Sequence, residues 1–502
     1  MVQGKMKGEG RRCRRARVLP LSGLIEKVIT FPFFRAHAKS RGGRDSLRKV
    51  PMKMLRFLYL ACFALLLTAR ALTAADYYID NDHGSDKNDG LSPQTAWSSL
   101  AKVNEFEFAP GDRILFARGC QWRGNLQLKS GAEGAPLYYG AYGKGAKPII
   151  LGSTPLNSPV NWEPAGENLW VSWKNATAVF DKCDIGNIIL NGHRAAFKKW
   201  RKEDLKAQDD FWYDITGDRR IYYYSDENPG KKYIDVEAAI GRHVISHSGV
   251  SYATVDGLDV RYGAAHGFGG GGTAHYTVRN CDISWIGGAD QYREGGEGRR
   301  VRFGNGIEFW GEADDCLIEN NKIWEIYDAA LTNQGVDGNV ESNITYRDNL
   351  IWNAEYSFEY WNGAGSQTKN ILFENNLCYN AGFGWGHIQR PDPNGRCIMM
   401  YRNGAPTENF VVRGNTFCDA TESLVRVDFT PDNADWPAKT LTLDGNRYFN
   451  DGGRLFFRWC NDQNYSGDQF DEFKEKTGKE EHGVAEPPEK PLEHMKHWNH
   501  VY

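Results

Sequence analysis

Two glutamates stand at equivalent places in repeated segments of the chain and have the side chains needed for acid–base chemistry on sugars. Glu308 lies in GIEFW (306–310) and Glu359 in SFEYW (357–361). Two carboxyl groups that flank a glycosidic bond can catalyse its hydrolysis. The carboxyl groups are about 5–5.5 Å apart in enzymes that retain the anomeric configuration and about 6.5–9.5 Å apart in enzymes that invert it. Asp328, in the turn between the two segments, is a third candidate. The alternative interpretation of all three is a solvated acidic face.

The segments around the glutamates align as successive strands. With Ile307, Leu331, Phe358 and Trp385 inward, one outward column reads Glu308, Thr332, Glu359 and Gly386, and the next reads Trp310, Gln334, Trp361 and Ile388. The glutamates then lie two coils apart, about 9.6 Å at the backbone for about 4.8 Å per coil. This spacing leaves both stereochemical outcomes open and slightly favours inversion. Trp310 and Trp361 are predicted to stack on sugar rings, with Gln334 between them; a one-residue slip would turn all these side chains to the other face.

A second group of polar residues follows in GWGHIQRPDPNGR and suggests a different chemistry. A lyase that acts on uronate polymers needs a cation to neutralise the substrate carboxylate and a base to take the C5 proton. Arg390 or Arg396 has the required charge, His387 or Tyr360 is a candidate base, and Gln389 is a further substrate-binding candidate. The alignment turns His387 inward, so a hydrogen-bonded core histidine is the alternative interpretation.

His266 is another substrate-binding candidate, in the glycine-rich segment GAAHGFGGGGTAHY. The glycines let the chain coil closely or leave room for a ligand. The segment lacks the Lys-Ser/Thr ending of a phosphate-binding loop, so that function is not expected. A long insertion, GADQYREGGEGRRVRFGNG, directly precedes the Glu308 strand. We interpret it as the wall of a cleft or as a solvated loop.

The acidic segment DNDHGSDKNDG is similar at first sight to a calcium loop. Counting twelve residues from Asp86 reaches Trp97, where such a loop needs glutamate. The eight cysteines after residue 75 include no Cys-x-x-Cys pair, so a zinc site is not expected. We interpret most of them as buried thiols. No metal and no cofactor is predicted, with calcium left open.

A repeated element must position these residues, because one strand–turn unit recurs from about residue 250. Its asparagines are Asn280, Asn321, Asn349, Asn376, Asn415 and Asn446, in steps of 41, 28, 27, 39 and 31 residues. A base period near 27 with insertions at one corner is typical of a coil with three short strands per turn. Asparagine tolerates left-handed backbone angles in a tight turn, and its amide can bond to the asparagine one coil up. Alternate apolar residues are expected to fill the interior.

Further segments at the two ends of the coil carry a resemblance. These are YYIDNDHGSDKNDGLSPQTAWSSLAKVN, PGDRILFARGCQWRG and YGAYGKGAKPII at the start and DQFDEFKEKTGKEEHG at the end. With the repeats between them, residues 76 to about 480 resemble the pectate-lyase-like family of right-handed β-helix proteins. The resemblance implies an all-β fold, a right-handed parallel β-helix (a solenoid) with an N-terminal cap and a closing helix. It does not choose an activity, because this superfamily includes lyases, hydrolases, epimerases and non-enzymes.

The chain divides into six predicted parts. They are a basic leader (1–51), a signal peptide (52–75), an N-terminal cap with the first coils (76–153), a β-rich insertion (154–240), the β-helix coils (241–461), and a C-terminal cap helix with a tail (462–502). Lys53 and Arg56 precede an apolar run (57–67) and then small residues, which is the pattern of a secretory signal. We interpret residues 1–51 as the result of a start site assigned too early, with Met52 or Met54 as the real start; a functional basic leader is the alternative interpretation.

Charge limits the partners of the mature chain. Residues 1–75 hold 17 basic and 3 acidic residues, which leaves 44 basic against 61 acidic residues after them, a balance near −17. A nucleic-acid partner normally requires the opposite sign of charge, so none is expected. No second apolar stretch follows, so no membrane anchor is expected. We predict a secreted or periplasmic monomer with a polysaccharide substrate.

The sequence is compatible with three functions. The leading hypothesis is a glycoside hydrolase that uses Glu308 and Glu359, because a mature charge near −17 does not suit a polyanionic substrate. The second is a polysaccharide lyase that uses His387 and the arginines. The third is a non-catalytic carbohydrate-binding protein that keeps the coil and its tryptophans.

Overall fold

The computed structural model describes residues 74–173, 183–293, 300–335, 338–403, 406–431, 434–461 and 463–488. The predicted leader (1–51) and all but the last two residues of the predicted signal peptide (52–75) lie outside these residues. The last part of the predicted tail, after residue 488, lies outside them as well.

One face of the coil is a ten-stranded parallel sheet in which each strand pairs with its equivalent in the next coil. Its strands are Asp76–Ile79, Arg113–Ala117, Leu137–Tyr142, Ser251–Asp256, Thr273–Arg279, Ala313–Glu319, Val340–Arg347, Gln367–Glu374, Thr407–Arg413 and Leu441–Asp444. Non-local parallel pairing of this kind needs a return path for every strand, which the rest of each coil supplies.

The return path forms a second, seventeen-stranded sheet that wraps the other faces. Its strands are Gln121–Arg123, Leu126–Gln127, Ile149–Leu151, Ile245–Ser246, Asp259–Arg261, Phe268–Gly269, Asp282–Ile286, Ile307–Trp310, Lys322–Gly335, Leu350–Asn362, Leu377–Ala381, Arg396–Asn403, Thr416–Ala420, Ser423–Phe429, Arg447–Phe449, Leu455–Trp459 and Gln463–Ser466. The pairings are parallel except for that of the last two strands. The predicted right-handed parallel β-helix is confirmed.

The interior of the coil is apolar, as the alternation of residues predicts. Three neighbouring strands include the two that bear the glutamates and the one between them. Their inward side chains have no exposed surface; these are Ile307, Leu331 and Phe358. Side chains on one face of a strand recur every second residue. The neighbouring residues in each strand therefore point out of the coil.

A ladder of asparagine amides runs through the turns beside the interior. Asn321 Nδ2 donates to Asn349 Oδ1 at 3.0 Å, and the same bond repeats through Asn376 and Asn415 to Asn446. The prediction was wrong for Asn280, which precedes the ladder position; Cys281 stands there and its N–H donates to Asn321. The left-handed backbone lies one residue before each ladder position, for example at Asn280. The left-handed turn and the amide ladder were predicted for the same asparagine, but they belong to two neighbouring residues.

Between the first coils and the later ones, the segment predicted as a β-rich insertion holds two small sheets. Ser153–Pro155, Ile185–Leu190, Arg194–Ala195 and Val236–Ile240 form one, and Trp162–Gly166, Leu169–Ser172, Phe197–Lys198, Asp210–Tyr213 and Ile221–Tyr224 form the other. Most of their pairings are antiparallel. A further hairpin, Ala289–Arg293 with Arg300–Phe303, stands just before the Glu308 strand.

Helices are short and lie at corners and ends. Among the described residues, the α-helices are Leu100–Glu105, Pro229–Lys232, Trp385–Gln389, Trp436–Lys439 and Phe470–Thr477, and the 3-10 turns are Pro93–Thr95, Pro159–Asn161, Lys202–Asp204, Asp451–Gly453 and Gly467–Gln469. The last helix covers the end of the coil, where the Phe473 ring stacks on Phe457 with 3.8 Å between centroids. Glu480 ends the asparagine ladder by accepting a bond from Asn446 at 2.7 Å.

The eight cysteines within the described residues are all free thiols, and six of them are buried. The interpretation of most of them as buried thiols is confirmed. Within the same residues, no helix has the length and apolarity needed to cross a membrane.

Candidate active site

The predicted register of the two glutamates is confirmed. In the parallel ladder Glu308 pairs with Thr332 and Thr332 pairs with Glu359. The next outward column is also as predicted, because Trp310, Gln334 and Trp361 pair in the same way. The glutamates therefore share one face and are separated by two ladder steps, about 9.6 Å at the backbone.

The prediction for the fourth segment was wrong. GWGHI does not form a strand but the helix Trp385–Gln389, and Met399 pairs with Glu359 where Gly386 was expected. The ladder asparagines before and after this coil are 39 residues apart, against 27 for the coil before it. The extra length forms the helix and its loop, and the strand begins only afterwards. An alignment of the coils on their asparagines assumes coils of equal layout, so it does not detect the inserted helix.

Glu308 and Glu359 line one cleft of about 430 Å³. Its other lining residues are His266, Gln291, Val301, Arg302, Phe303, Asn305, Trp310, Asp328, Gln334, Trp361, Arg390, Asp392 and Tyr401. The size falls within the range of small-ligand sites in proteins, about 300–1,000 Å³. Eight of the eleven predicted site residues line this cleft, the two glutamates and six others, while His387, Gln389 and Arg396 do not line it.

Histidines surround the carboxylate of Glu308, which is 6% exposed. Its Oε2 lies 2.5 Å from His266 Nε2. Burial by itself raises the pKa of Glu308, but the electrostatic attraction and hydrogen bond of His266, with smaller contributions from His243 and His247, outweigh burial and hold the pKa below its ordinary value. Glu308 is therefore an ionised carboxylate at neutral pH.

Glu359 has the opposite electrostatic environment. It is 7% exposed and accepts a hydrogen bond from Gln334 Nε2 at 2.7 Å. Burial raises the pKa of Glu359 well above its ordinary value, and the negative charges of Asp328 and Glu308 raise it further. Arg390 and the Gln334 bond act in the other direction without overcoming these effects. Glu359 thus holds a proton over a pH range in which Glu308 has lost its own.

Asp328, the third predicted carboxylate, is held by Arg390. Arg390 Nη1 donates to Asp328 Oδ1 at 2.8 Å and to the Tyr327 carbonyl at 3.1 Å. The guanidinium also lies over the rings of Tyr327 and Tyr356, 5.4 Å and 5.7 Å from their centroids. The cationic group that a lyase needs is therefore present in the cleft, but it is already paired with a carboxylate.

The other members of the second predicted cluster face away from the cleft. His387 Nδ1 lies 2.9 Å from Glu355 Oε2, and the Glu355 side chain is fully buried. Gln389 Nε2 donates to the Ala196 carbonyl at 2.8 Å. Arg396 is buried and forms an ion pair with Glu422. These contacts hold the loop that carries Arg390.

Two tryptophans stand at the open side of the site. The rings of Trp310 and Trp361 are nearly parallel, with 6.2 Å between centroids and 22° between planes. Trp310 is 43% exposed. An exposed aromatic face is the surface on which a sugar ring packs through its C–H groups.

The hairpin before Glu308 supplies lining residues that the sequence did not identify one by one. Arg302 is buried and donates to the carbonyls of Gly288 at 2.7 Å and Gly186 at 2.9 Å, and to Gln389 Oε1 at 3.2 Å. It thus joins the hairpin to the insertion and to the helix after the site. The position of the insertion directly before the Glu308 strand was the available signal, but the chain could not show which residue faces inward.

The acidic segment near the start uses its carboxylates to bind the backbone. Asp86 Oδ1 accepts from the N–H groups of Ser98 at 2.9 Å and Ser99 at 3.0 Å, and Asp80 Oδ1 accepts from those of Asp82 and His83. No group of three or more His, Cys, Asp or Glu side chains in the described part of the chain is arranged to hold a metal ion. The absence of a metal requirement stays a prediction.

Comparison with known proteins finds similarity to carbohydrate-active β-helix proteins. No family model matches the chain. A stretch of 94 residues is 35% identical to a lacto-N-biosidase of Bifidobacterium longum subsp. longum and spans 17% of this chain and 6% of that protein. The solved structure of XylC with xylose is 12% identical, with 80% of this chain and 79% of that chain covered and a TM-score of 0.44. A GH136 lacto-N-biosidase from Eubacterium ramulus is 15% identical, with 82% and 71% covered and a TM-score of 0.35. Likeness of this degree assigns no activity.

Proposed function

We propose that the protein is a glycoside hydrolase in which Glu359 is the general acid and Glu308 is the general base or the nucleophile. The observation that carries this proposal is that two buried glutamates line one cleft in opposite surroundings. His266 lies against Glu308 and lowers its pKa, whereas burial and the charge of Asp328 raise the pKa of Glu359. Two titratable groups whose surroundings separate their pKa values are the usual signature of an acid and a base that work together. Both carboxyl groups are buried, so their pKa shifts come from burial and neighbouring groups rather than from contact with solvent.

In the proposed reaction the Glu359 proton goes to the glycosidic oxygen as the bond to the anomeric carbon breaks. Glu308 either takes a proton from the attacking water or attacks the anomeric carbon itself. A separation of two ladder steps leaves room for a water and favours inversion. Asp328 has an indirect part here: its negative charge helps to keep the proton on Glu359.

Substrate binding falls to the open side of the cleft. Trp310 offers an exposed ring face beside Glu308. Trp361 and Gln334 stand in the same column, so a sugar ring that packs there lies next to both carboxyl groups. We propose a saccharide chain as the substrate and, with the predicted signal peptide, a site of action outside the cytoplasm.

The contacts of the second cluster favour hydrolysis over elimination. Arg390 is paired with Asp328, and His387 is paired with Glu355 outside the cleft lining. A lyase would need the arginine free for a uronate carboxylate and a base at C5. The short stretch that is similar to a lacto-N-biosidase also points to hydrolysis of a glycosidic bond.

The test is incubation of the protein with a panel of neutral and uronate polysaccharides and oligosaccharides. Hydrolysis releases reducing ends without ultraviolet absorbance, whereas elimination creates a conjugated double bond that absorbs. We expect the wild type to release reducing ends without ultraviolet-absorbing products. Glu308→Gln and Glu359→Gln should lose this activity. Glu312→Gln, the control at an exposed glutamate close to the cleft strand, should keep it. Ultraviolet-absorbing products would establish a lyase instead, and binding without products would establish a carbohydrate-binding protein.

A further inference from the structure

Both ring nitrogens of His266 are already engaged within the protein. Nδ1 lies 3.0 Å from the backbone nitrogen of Asn305 and accepts its N–H. Nε2 lies 2.5 Å from Glu308 Oε2. A ring nitrogen that accepts a hydrogen bond carries no proton, so the neutral ring has its proton on Nε2. His266 therefore donates to Glu308 and has no nitrogen left for a substrate.

The ring of His266 is held from both sides. It stacks on His243 with 4.9 Å between centroids and meets the edge of Phe303 at 5.1 Å. The His243 ring in turn fills the space over Gly269, where a Cβ would come within 2.4 Å of His243 Nδ1. Burial lowers the pKa of His243 to about 4, so this neighbour is neutral at ordinary pH.

We propose that His266 is a positioning residue: its Nε2–H holds the Glu308 carboxylate ionised and oriented toward the cleft. This inference rests on the proposed function, because it assigns the origin of the base rather than a new reaction. It also replaces the substrate-binding role that the sequence suggested for His266. The asparagine backbone at 305 fixes the tautomer, and the packed rings fix the direction of the donor.

The charged and titratable groups near Glu308 come from several elements. On the preceding coils they are His243, His247 and His266, on the following coils Asp328 and Glu359, and elsewhere in the cleft lining Arg302, Arg390 and Asp392. His266 is the one among them for which the structure gives a direct bond to the Glu308 carboxylate. Its removal should therefore act on Glu308 without a comparable effect on Glu359.

Two amide substitutions separate the two contacts of the ring. His266→Asn places an amide near the Nδ1 position, so it keeps the backbone contact but does not reach Glu308. His266→Gln reaches further and can donate to Glu308. We expect His266→Asn to move the acidic limb of the kcat/KM profile upward by at least one pH unit, which lowers kcat/KM about tenfold per unit on that limb. His266→Gln should return most of the shift, and the alkaline limb should stay in place in both.

His275→Gln is the matched control, because His275 also pairs with a carboxylate, Asp315 at 2.6 Å, but on the exposed sheet. Its pH profile should equal that of the wild type. An acidic limb that stays in place in His266→Asn would overturn the proposal. Equal upward shifts in both amide variants would do the same, since they would indicate a packing role.

Thermal unfolding against pH tests the same contact without any substrate. The lowered pKa of Glu308 means that its ionised form stabilises the fold above the unfolded pKa of about 4.3, and that this stability is lost as pH falls through the folded pKa. His266→Asn should therefore cost more stability at pH 6 than at pH 3, and the difference between the two pH values should be smaller in a Glu308→Gln background. A cost independent of pH in the wild-type background would refute the bond. If no saccharide is hydrolysed, the proposed function fails and this measurement still decides the contact.

Discussion

Replacing Glu359 by glutamine should slow turnover and stabilise the protein at the same time. The carboxyl group is buried and is held neutral, and glutamine keeps its shape and its partner Gln334. General acid assistance contributes about 10²- to 10⁴-fold in rate. At about 1.36 kcal/mol per factor of ten, this is about 2.7–5.4 kcal/mol of transition-state stabilisation. Substrates with a leaving group that needs no proton should lose much less.

The gain in stability follows from the sign of the pKa shift. A carboxyl group whose folded pKa is raised binds a proton more tightly in the folded state, so the wild type loses stability as pH rises from about 4.3 toward the folded pKa of Glu359. The loss is about 1.4 kcal/mol for each unit of elevation. Glutamine does not titrate, so the variant should melt above the wild type at pH 7 and together with it near pH 3.

The assay is kcat/KM together with the melting temperature at pH 3, 5 and 7, with Glu312→Gln as the exposed control. Loss of turnover with a melting temperature above the wild type at pH 7 supports a protonated, buried acid. A variant that turns over at the wild-type rate would refute the catalytic role. A variant that melts below the wild type at pH 7 would show that Glu359 is ionised in the folded protein.

Three further substitutions test other parts of the account. Glu308→Gln should also reduce turnover by about 10²-fold or more but, because the pKa of Glu308 is lowered, it should melt below the wild type at pH 7 and approach it at pH 3. Trp361→Ala should weaken saccharide binding in titration calorimetry by about 0.5–1.5 kcal/mol while changing kcat less; an equal loss in both would argue against a binding platform. Asn376→Ala removes a buried ladder amide that bonds to its neighbours, so denaturant unfolding should show a loss of about 2–4 kcal/mol. Asn370 donates an exposed bond to Asn343 and has a left-handed backbone, so Asn370→Gly is the control and should cost under about 1 kcal/mol. Equal costs would refute the role of burial.

The coil and the column of glutamates follow from local rules and were predictable. Strand residues alternate between two faces, and equivalent positions in stacked coils come together at one spacing. The period of the asparagines therefore aligned Glu308 with Glu359 across 51 residues, and the observed pairing agrees. The same rule failed at the helix Trp385–Gln389, because an insertion within one coil breaks the period without leaving a mark in the alternation of residues.

The chemical state of the two glutamates was decided by tertiary structure alone. Their identity and neighbours in the strands are nearly the same, but Glu308 meets His266 from an earlier coil while Glu359 meets the charge of Asp328. Burial penalises the ionised form of both, and only the partners that the coil brings against each one make the outcomes opposite. Sequence determines which carboxyl groups share a face, because that depends on periodicity. Which of them keeps its proton depends on side chains that are distant in the chain, because electrostatic interactions act through space.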